Sequence, residues 1–270
     1  MEMWQALILA IIEGLTEYLP VSSTGHIILG SALMGIESDP FVKDYTVIVQ
    51  FGAILSVLVV YRDRILKAMK SGPKVYVLLL ASFVPAAFFG LLLGKKIDSW
   101  LGDVSVVGWS LLIGGIVLLF LDRLNNRFEN TSLERDGLKL PVKTGVLIGF
   151  AQCLALVPGV SRSGASIAGA MALGLTRKTA AEFSFFLAVP TLTAATGYKL
   201  LKMGDSLNLE TLPVIVVGNI ASFIVGIIAI KSFIGFLERR GFFWFGVYRI
   251  VLGLLILGIT LSGHTLKMVD

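Results

Sequence analysis

Two stretches hold nearly all the side chains that could do chemistry. The first, Glu13-Gly14-Leu15-Thr16-Glu17-Tyr18-Leu19-Pro20-Val21-Ser22-Ser23-Thr24-Gly25-His26, sets two carboxylates, a run of hydroxyls and an imidazole inside apolar sequence. Ionisable groups in such surroundings are functional candidates by default. Glu13 and Glu17 are four apart, so a helix puts them on one face. Two close carboxylates repel unless a proton or cation sits between them. A hard divalent ion, Mg²⁺ or Ca²⁺, held by these carboxylates, phosphate oxygens and water fits that pair; the plainer alternative is two solvated acids near an interface. Ser22, Ser23 and Thr24 follow a proline. One hydroxyl suffices as a helix N-cap, and here there are three. His26 lies one helical turn beyond Ser23, suited to general acid–base or nucleophilic work.

The second stretch, Pro158-Gly159-Val160-Ser161-Arg162-Ser163-Gly164-Ala165-Ser166, has the form of an anion cradle. Glycines let backbone N–H groups converge, a helix start adds its positive end, and serines add donors. Arg162 supplies a planar, permanently charged fork that matches phosphate. Carboxylates for a metal, a hydroxyl with a histidine, and a phosphate cradle together suit phosphoryl transfer. Placed within a membrane, such a site suits a lipid substrate. Arg249 and Glu182 admit a plain structural pairing, and Asn219 and Gln50 read as interhelical hydrogen-bonding residues.

The elements that must position these groups are those of a membrane protein. Of 270 residues, 56% are hydrophobic and 15% charged, against about 25% charged in a soluble domain; the mean hydropathy is +0.86. The net charge of +5 comes from basic residues in short loops, so it is no sign of nucleic-acid binding. The single cysteine, Cys153, excludes an intramolecular disulfide and a cysteine-based zinc site. Six stretches are long and apolar enough to span, at about 44–62, 74–94, 104–122, 179–200, 212–231 and 243–263. Regions 3–35 and 142–175 are broken by Pro20–Gly25 and Pro158–Gly164. Their halves are too short to cross, so they read as re-entrant helix–turn–helix hairpins.

The loop charges predict the orientation. Fifteen Lys and Arg fall on one face and six on the other: Lys43, Lys95, Lys96, Lys199, Lys202 and Lys267. The richer face, which includes Arg135, is cytoplasmic. Both termini and the first hairpin then lie outside, and the second hairpin enters from inside. A shift of 139 residues also aligns the hairpins: Leu15 with Leu154, Val21 with Val160, Ser22 with Ser161, Gly25 with Gly164, Ile28 with Ile167, Gly30 with Gly169, Gly35 with Gly174. Glu13 falls on Gln152, and Ser23 on Arg162. Three spans follow each hairpin, so the second unit is inverted. The expected fold is an all-α polytopic membrane protein: six transmembrane helices plus two re-entrant helical hairpins in an inverted-topology repeat. It is one integral membrane domain over 1–270, with repeat 1 at about 1–122 and repeat 2 at about 142–263.

With these residues in view, the chain closely resembles the bacterial undecaprenyl-pyrophosphate phosphatases, the bacitracin-resistance family. The resemblance is carried by Glu13-Gly-Leu-Thr-Glu17, Pro20-Val-Ser-Ser-Thr-Gly-His26 and Pro158-Gly-Val-Ser-Arg-Ser-Gly164, and covers essentially the whole chain. It implies hydrolysis of undecaprenyl pyrophosphate to undecaprenyl phosphate and inorganic phosphate. That reaction recycles the lipid carrier for cell-wall synthesis. The resemblance also implies a bacterial inner-membrane location, a divalent-cation requirement and a site open to the outer face. It puts Glu13 and Glu17 in the acidic motif, Ser23 and His26 in the catalytic centre, and Arg162 with its flanking serines in the phosphate-binding motif. Ser166 stands where the family commonly has threonine, and keeps the hydroxyl. The favoured assignment has Glu13 and Glu17 holding the metal and Ser23, assisted by His26, as nucleophile. Glu17 and Arg162 complete the catalytic set. Ser22, Thr24, Gly159, Ser161, Ser163 and Gly164, again with Arg162, hold the substrate phosphate. Attack by water activated by His26, or by His26 itself, stays open, as does a homodimer. The rival reading is a transporter or flippase for a polyprenyl phosphate lipid, since inverted repeats with broken helices mark transporters. A carrier, however, has no need of a serine–histidine pair beside metal ligands and a phosphate cradle.

Overall fold

A computed structural model describes residues 1–70, 72–128, 136–203, 209 and 211–262. Arg135 and Lys267, which entered the charge count, and residue 263 of the last expected span lie outside the described residues. The regular structure described is helical throughout. In chain order the α-helices are α1 (Met3–Thr16), α2 (Ser23–Leu33), α3 (Pro40–Val60), α4 (Arg62–Lys70), α5 (Lys74–Leu92), α6 (Gly94–Leu101), α7 (Val104–Phe128), α8 (Val142–Gln152), α9 (Arg162–Ala172), α10 (Arg177–Met203), α11 (Thr211–Arg240) and α12 (Phe243–Leu261).

Among the described residues, five helices are long and apolar enough to cross a membrane: α3, α5, α7, α11 and α12. Their outward faces are oily. Ile220, Ile224 and Ile228 form an exposed stripe along α11, and Leu80, Val84 and Phe88 form another along α5. Such stripes belong against lipid. The chain is a multi-pass membrane protein. The sixth expected span, 179–200, falls within α10, which has the length but is not among the five. The reason is burial. Every residue from Thr179 to Ala188 is covered by neighbouring helices, so α10 keeps polar side chains that lipid would reject. Thr196, for example, donates to the Val47 carbonyl at 3.1 Å.

Besides α4 and α6, of 9 and 8 residues, the four helices that flank the breaks are short. α2, α8 and α9 have 11 residues each and α1 has 14; 11 residues rise only about 17 Å, against a hydrocarbon core of about 30 Å. α1 packs on α2 and α8 on α9. Each pair also leans on a distant helix, α1 on α11 and α8 on α5. The approach is backbone to backbone. A Cβ on Gly14 would lie 2.6 Å from the Ser222 carbonyl oxygen, and one on Gly149 would collide with that of Ser82. α1 and α8 begin 139 residues apart, as do α7 and α12, while α2 and α9 both begin and end at that spacing.

The largest core cluster gathers Phe183, Phe185 and Phe186 of α10 against Tyr18, Phe233 and Phe242. Tyr18 meets Phe185 edge-on, ring centroids 5.2 Å apart. At one end of the bundle Arg64 binds Asp136 at 2.9 Å and Glu182 at 2.7 Å. Partial burial would raise the Asp136 carboxyl; the Arg64 guanidinium and the Leu138 N–H outweigh it and hold the group below its usual range. Glu182 therefore pairs with Arg64, and not with Arg249. Asn219 does join helices, its Oδ1 accepting the Gly52 N–H of α3 at 2.7 Å.

Candidate active site

Both breaks have a clear local cause. Proline lacks an N–H and clashes with the preceding turn, which favours a break at Pro20 and at Pro158, although α5 and α10 run on through Pro85 and Pro190. α1 stops at Thr16, and α8 passes into a short 3-10 turn, Cys153–Leu156. The chain then reverses through a residue with positive φ, Ser22 (69°) and Ser161 (74°), before α2 and α9 begin. Neither residue is glycine, so both breaks hold backbone strain of about 1–3 kcal/mol.

The breaks meet. Arg162 Nη2 forms an ion pair with Glu17 Oε1 at 3.0 Å, and Ser23 Oγ donates to Glu17 Oε2 at 3.1 Å. Nη1 of Arg162 donates to the carbonyl and the hydroxyl of Ser184 on α10, at 2.8 and 3.1 Å. Ser166 donates to the same Ser184 hydroxyl at 2.7 Å. Ser163 Oγ donates across to the Leu19 carbonyl at 2.9 Å. Beneath lies Arg249, 1% exposed. Its Nη1 binds the Pro20 and Val160 carbonyls at 3.1 and 3.0 Å, and its Nη2 those of Ser110 and Gly159 at 3.1 and 3.0 Å. One buried guanidinium thus saturates backbone acceptors from both breaks, which otherwise would lack donors.

A cavity of about 150 Å³ opens between the breaks. Glu17, Ser22, Ser23, Thr24, Gly159, Ser161 and Arg162, all expected to act together, line it, with Gln50 of α3. Ser163 and Gly164 are not in its wall. Ser163 is spent on Leu19, and the Gly164 N–H is capped by Ser161 Oγ at 3.1 Å. Glu13, 1% exposed, lines a larger adjoining cavity of about 970 Å³ that shares Ser23, Thr24 and Gln50. Among the described residues, Glu13 Oε1, Arg162 Nε and Ser22 Oγ are buried here with no hydrogen-bond partner. An acceptor facing no donor suits a cation. A guanidinium N–H facing no acceptor suits a phosphate oxygen.

His26 departs from expectation. Its Nδ1 lies 2.8 Å from the Ser22 carbonyl and its Nε2 2.7 Å from the Tyr248 hydroxyl. The carbonyl can only accept, so in the neutral ring Nδ1 carries the proton and Tyr248 donates to Nε2. The two rings stack, 10° from parallel. His26 borders neither cavity, and the Ser23 proton points to Glu17 instead.

Comparison with known proteins places the chain in a family. The family model described as bacitracin resistance protein BacA matches residues 6–255. The chain belongs to the bacitracin resistance protein BacA family. It is 48% identical over 264 residues to the undecaprenyl-diphosphatase of Bdellovibrio bacteriovorus, covering 98% of each chain. It is 46% identical over 268 residues to that of Flavobacterium johnsoniae, again 98% of each. With that of Aquifex aeolicus the figure is 43% over 252 residues, 93% of this chain and 96% of the relative. For this BacA family member, sequence reasoning missed Ser184, Tyr248 and the wall position of Gln50. Ser184 sits among phenylalanines in a long helix with no motif around it, and Tyr248 lies 222 residues from His26. Gln50, apolar on either side in sequence, gave the one available signal.

Proposed function

We propose that the chain hydrolyses undecaprenyl diphosphate to undecaprenyl phosphate and inorganic phosphate, recycling the carrier for cell-wall synthesis. The observation that carries this is the chain of contacts Arg162–Glu17–Ser23 along the wall of a cavity with room for a phosphate group. A transporter has no use for a hydroxyl poised on a carboxylate there, so the enzyme reading is preferred.

In this reading the terminal phosphate enters the smaller cavity and takes Arg162 as its partner, through the open Nε–H and through Nη2 in competition with Glu17. Ser23 Oγ attacks the terminal phosphorus while Glu17 accepts its proton. The bond to the bridging oxygen breaks, and undecaprenyl phosphate leaves. Water then cleaves the phosphoseryl group, Ser23 regains a proton, and inorganic phosphate departs. His26 acts by fixing the Ser22 peptide beside the nucleophile. Glu13 and Glu17 would hold a divalent cation with substrate oxygens. Described residues contain no group of three or more His, Cys, Asp or Glu for an all-protein site, and two carboxylates plus phosphate oxygens suffice for Mg²⁺. When bound, the cation supplies charge neutralisation.

The finer architecture follows the same reading. α10 joins the five apolar helices as a sixth span, α1–α2 and α8–α9 are re-entrant, and the halves form an inverted repeat with the 139-residue offset. The sparse lysines at the cavity side support an outward-facing site, termini outside, in the bacterial inner membrane. The test is phosphate release from undecaprenyl diphosphate by detergent-purified protein, with and without a chelator. Release abolished by the chelator and restored by Mg²⁺ or Ca²⁺ is expected. No release with either metal overturns the reading.

A further inference from the structure

The larger cavity has a wall that the reaction alone does not require. Lys43 of α3, Lys95 of α6, and Lys199 and Lys202 of α10 all line it. Six lysines make up the sparse basic set of that face, and five of them are within the described residues. Four of those five converge on this one cavity. The fifth, Lys96, is not in the wall; it sits over the Trp100 ring at 5.2 Å, as Lys202 in the wall sits over the Tyr198 ring at 4.7 Å. Two acids share the wall, Glu13 and Asp44, the latter paired with Lys199 at 2.5 Å. Among the described residues of this wall the four cations outnumber the acids by two, in a recess where low-dielectric walls focus the field.

We propose that this cavity is a phosphate-binding vestibule, whose lysines hold a phosphate dianion on its way between bulk solution and the smaller cavity. The inference rests on the reading above, in which inorganic phosphate is a product. The division of labour follows from side-chain chemistry. Arg162 offers a fixed fork that orients a phosphate, whereas an ammonium on a flexible stem is a strongly hydrated point charge. Such groups attract an anion without imposing a geometry, which suits passage better than retention. The shared Ser23, Thr24 and Gln50 make the vestibule continuous with the smaller cavity. Inorganic phosphate added from outside then occupies the exit and competes with turnover.

Two sources could supply the dianion: free phosphate leaving, or the lipid headgroup arriving. The test uses detergent-solubilised full-length protein and inorganic phosphate as probe, read by ³¹P NMR line broadening, which needs no turnover. Lys95→Gln/Lys202→Gln is compared with Lys96→Gln, which removes a charge from the same face but not from the wall. Expected is phosphate binding in the parent chain, weakened about fivefold or more in the double variant and unchanged in Lys96→Gln. Lys95→Gln alone, at an exposed position, should show part of the loss and serves if the double variant folds poorly. A Michaelis constant for the lipid diphosphate that is unmoved assigns the vestibule to free phosphate, and one that rises in step assigns it to the headgroup. Equal phosphate binding in the parent and double variant overturns the proposal, as does equal weakening by Lys96→Gln. Absence of hydrolysis would overturn the enzymatic reading instead, and leave the binding comparison legible.

Discussion

Ser22 and Ser161 occupy matching places in the two breaks, with φ of 69° and 74°, yet their hydroxyls do different things. Ser161 Oγ caps the Gly164 N–H and contacts Ser163, while Ser22 Oγ has no partner. One residue on, the first break presents Ser23 and the second Arg162. Nine residues earlier than Ser22, the first break has Glu13 and the second the matching Gln152; each leaves one side-chain oxygen without a partner, and Gln152 Nε2 donates to Thr191 at 3.2 Å. The backbone is common, and the side chains divide the labour. The first break carries the acids and the hydroxyl that donates to Glu17. The second is tied down internally and extends one guanidinium. Similar main-chain geometry thus fixes where groups can stand, and only the side chains decide what stands there.

The largest effects should come from the pair of unlike residues at the matching position. Arg162→Ala and Ser23→Ala should each lower kcat/KM about a thousandfold in phosphate release, with far-UV helicity retained. Substantial turnover in Ser23→Ala would move the attack to water, and in Arg162→Ala would detach the second break from the chemistry. Arg249→Met should destabilise the protein by about 3–5 kcal/mol, read by thermal unfolding in detergent, because carbonyls of both breaks lose their donor. An unfolding temperature close to the parent's would mean that the breaks hold together without it. Glu13→Gln makes the first break resemble the second. It should raise the Mg²⁺ concentration for half-maximal activity by about tenfold; a loss of activity indifferent to metal would give Glu13 a proton-transfer role. The smallest contrast is between the serines themselves. Ser161→Ala should cost about 1 kcal/mol of stability through its cap and Ser22→Ala almost none. Equal shifts in unfolding would erase the distinction.

Much of this was legible beforehand because the two breaks are punctuated by proline and carry charges that apolar surroundings make conspicuous. That the two breaks share one site follows from their complementary side chains; the Glu17–Arg162 ion pair itself was not legible, since the sequence gives Glu17 to a metal and Arg162 to phosphate. The partner of the Ser23 hydroxyl was not legible. Spacing puts His26 one turn away, but the strained Ser22 carbonyl captures its Nδ1, and positive φ at a serine leaves no trace in sequence. Ser184 was hidden for a related reason. A hydroxyl inside a long helix ordinarily bonds its own preceding turn, and only the packing of α9 on α10 brings Arg162 to it. The polar character of α10 likewise reflects neighbours far along the chain.

The seating of α1 on α11, and of α8 on α5, bears on how the molecule comes to exist. A ribosome delivers α1 long before α11, so the nascent chain must wait with the α11-facing side of one broken pair uncovered until α11 is made. Closure is then late and collective, since non-local contacts cannot form before both partners are made. Fragments severed between α7 and α8 would each lack the surface on which their own short helices rest, and should recover a fold only when synthesised together.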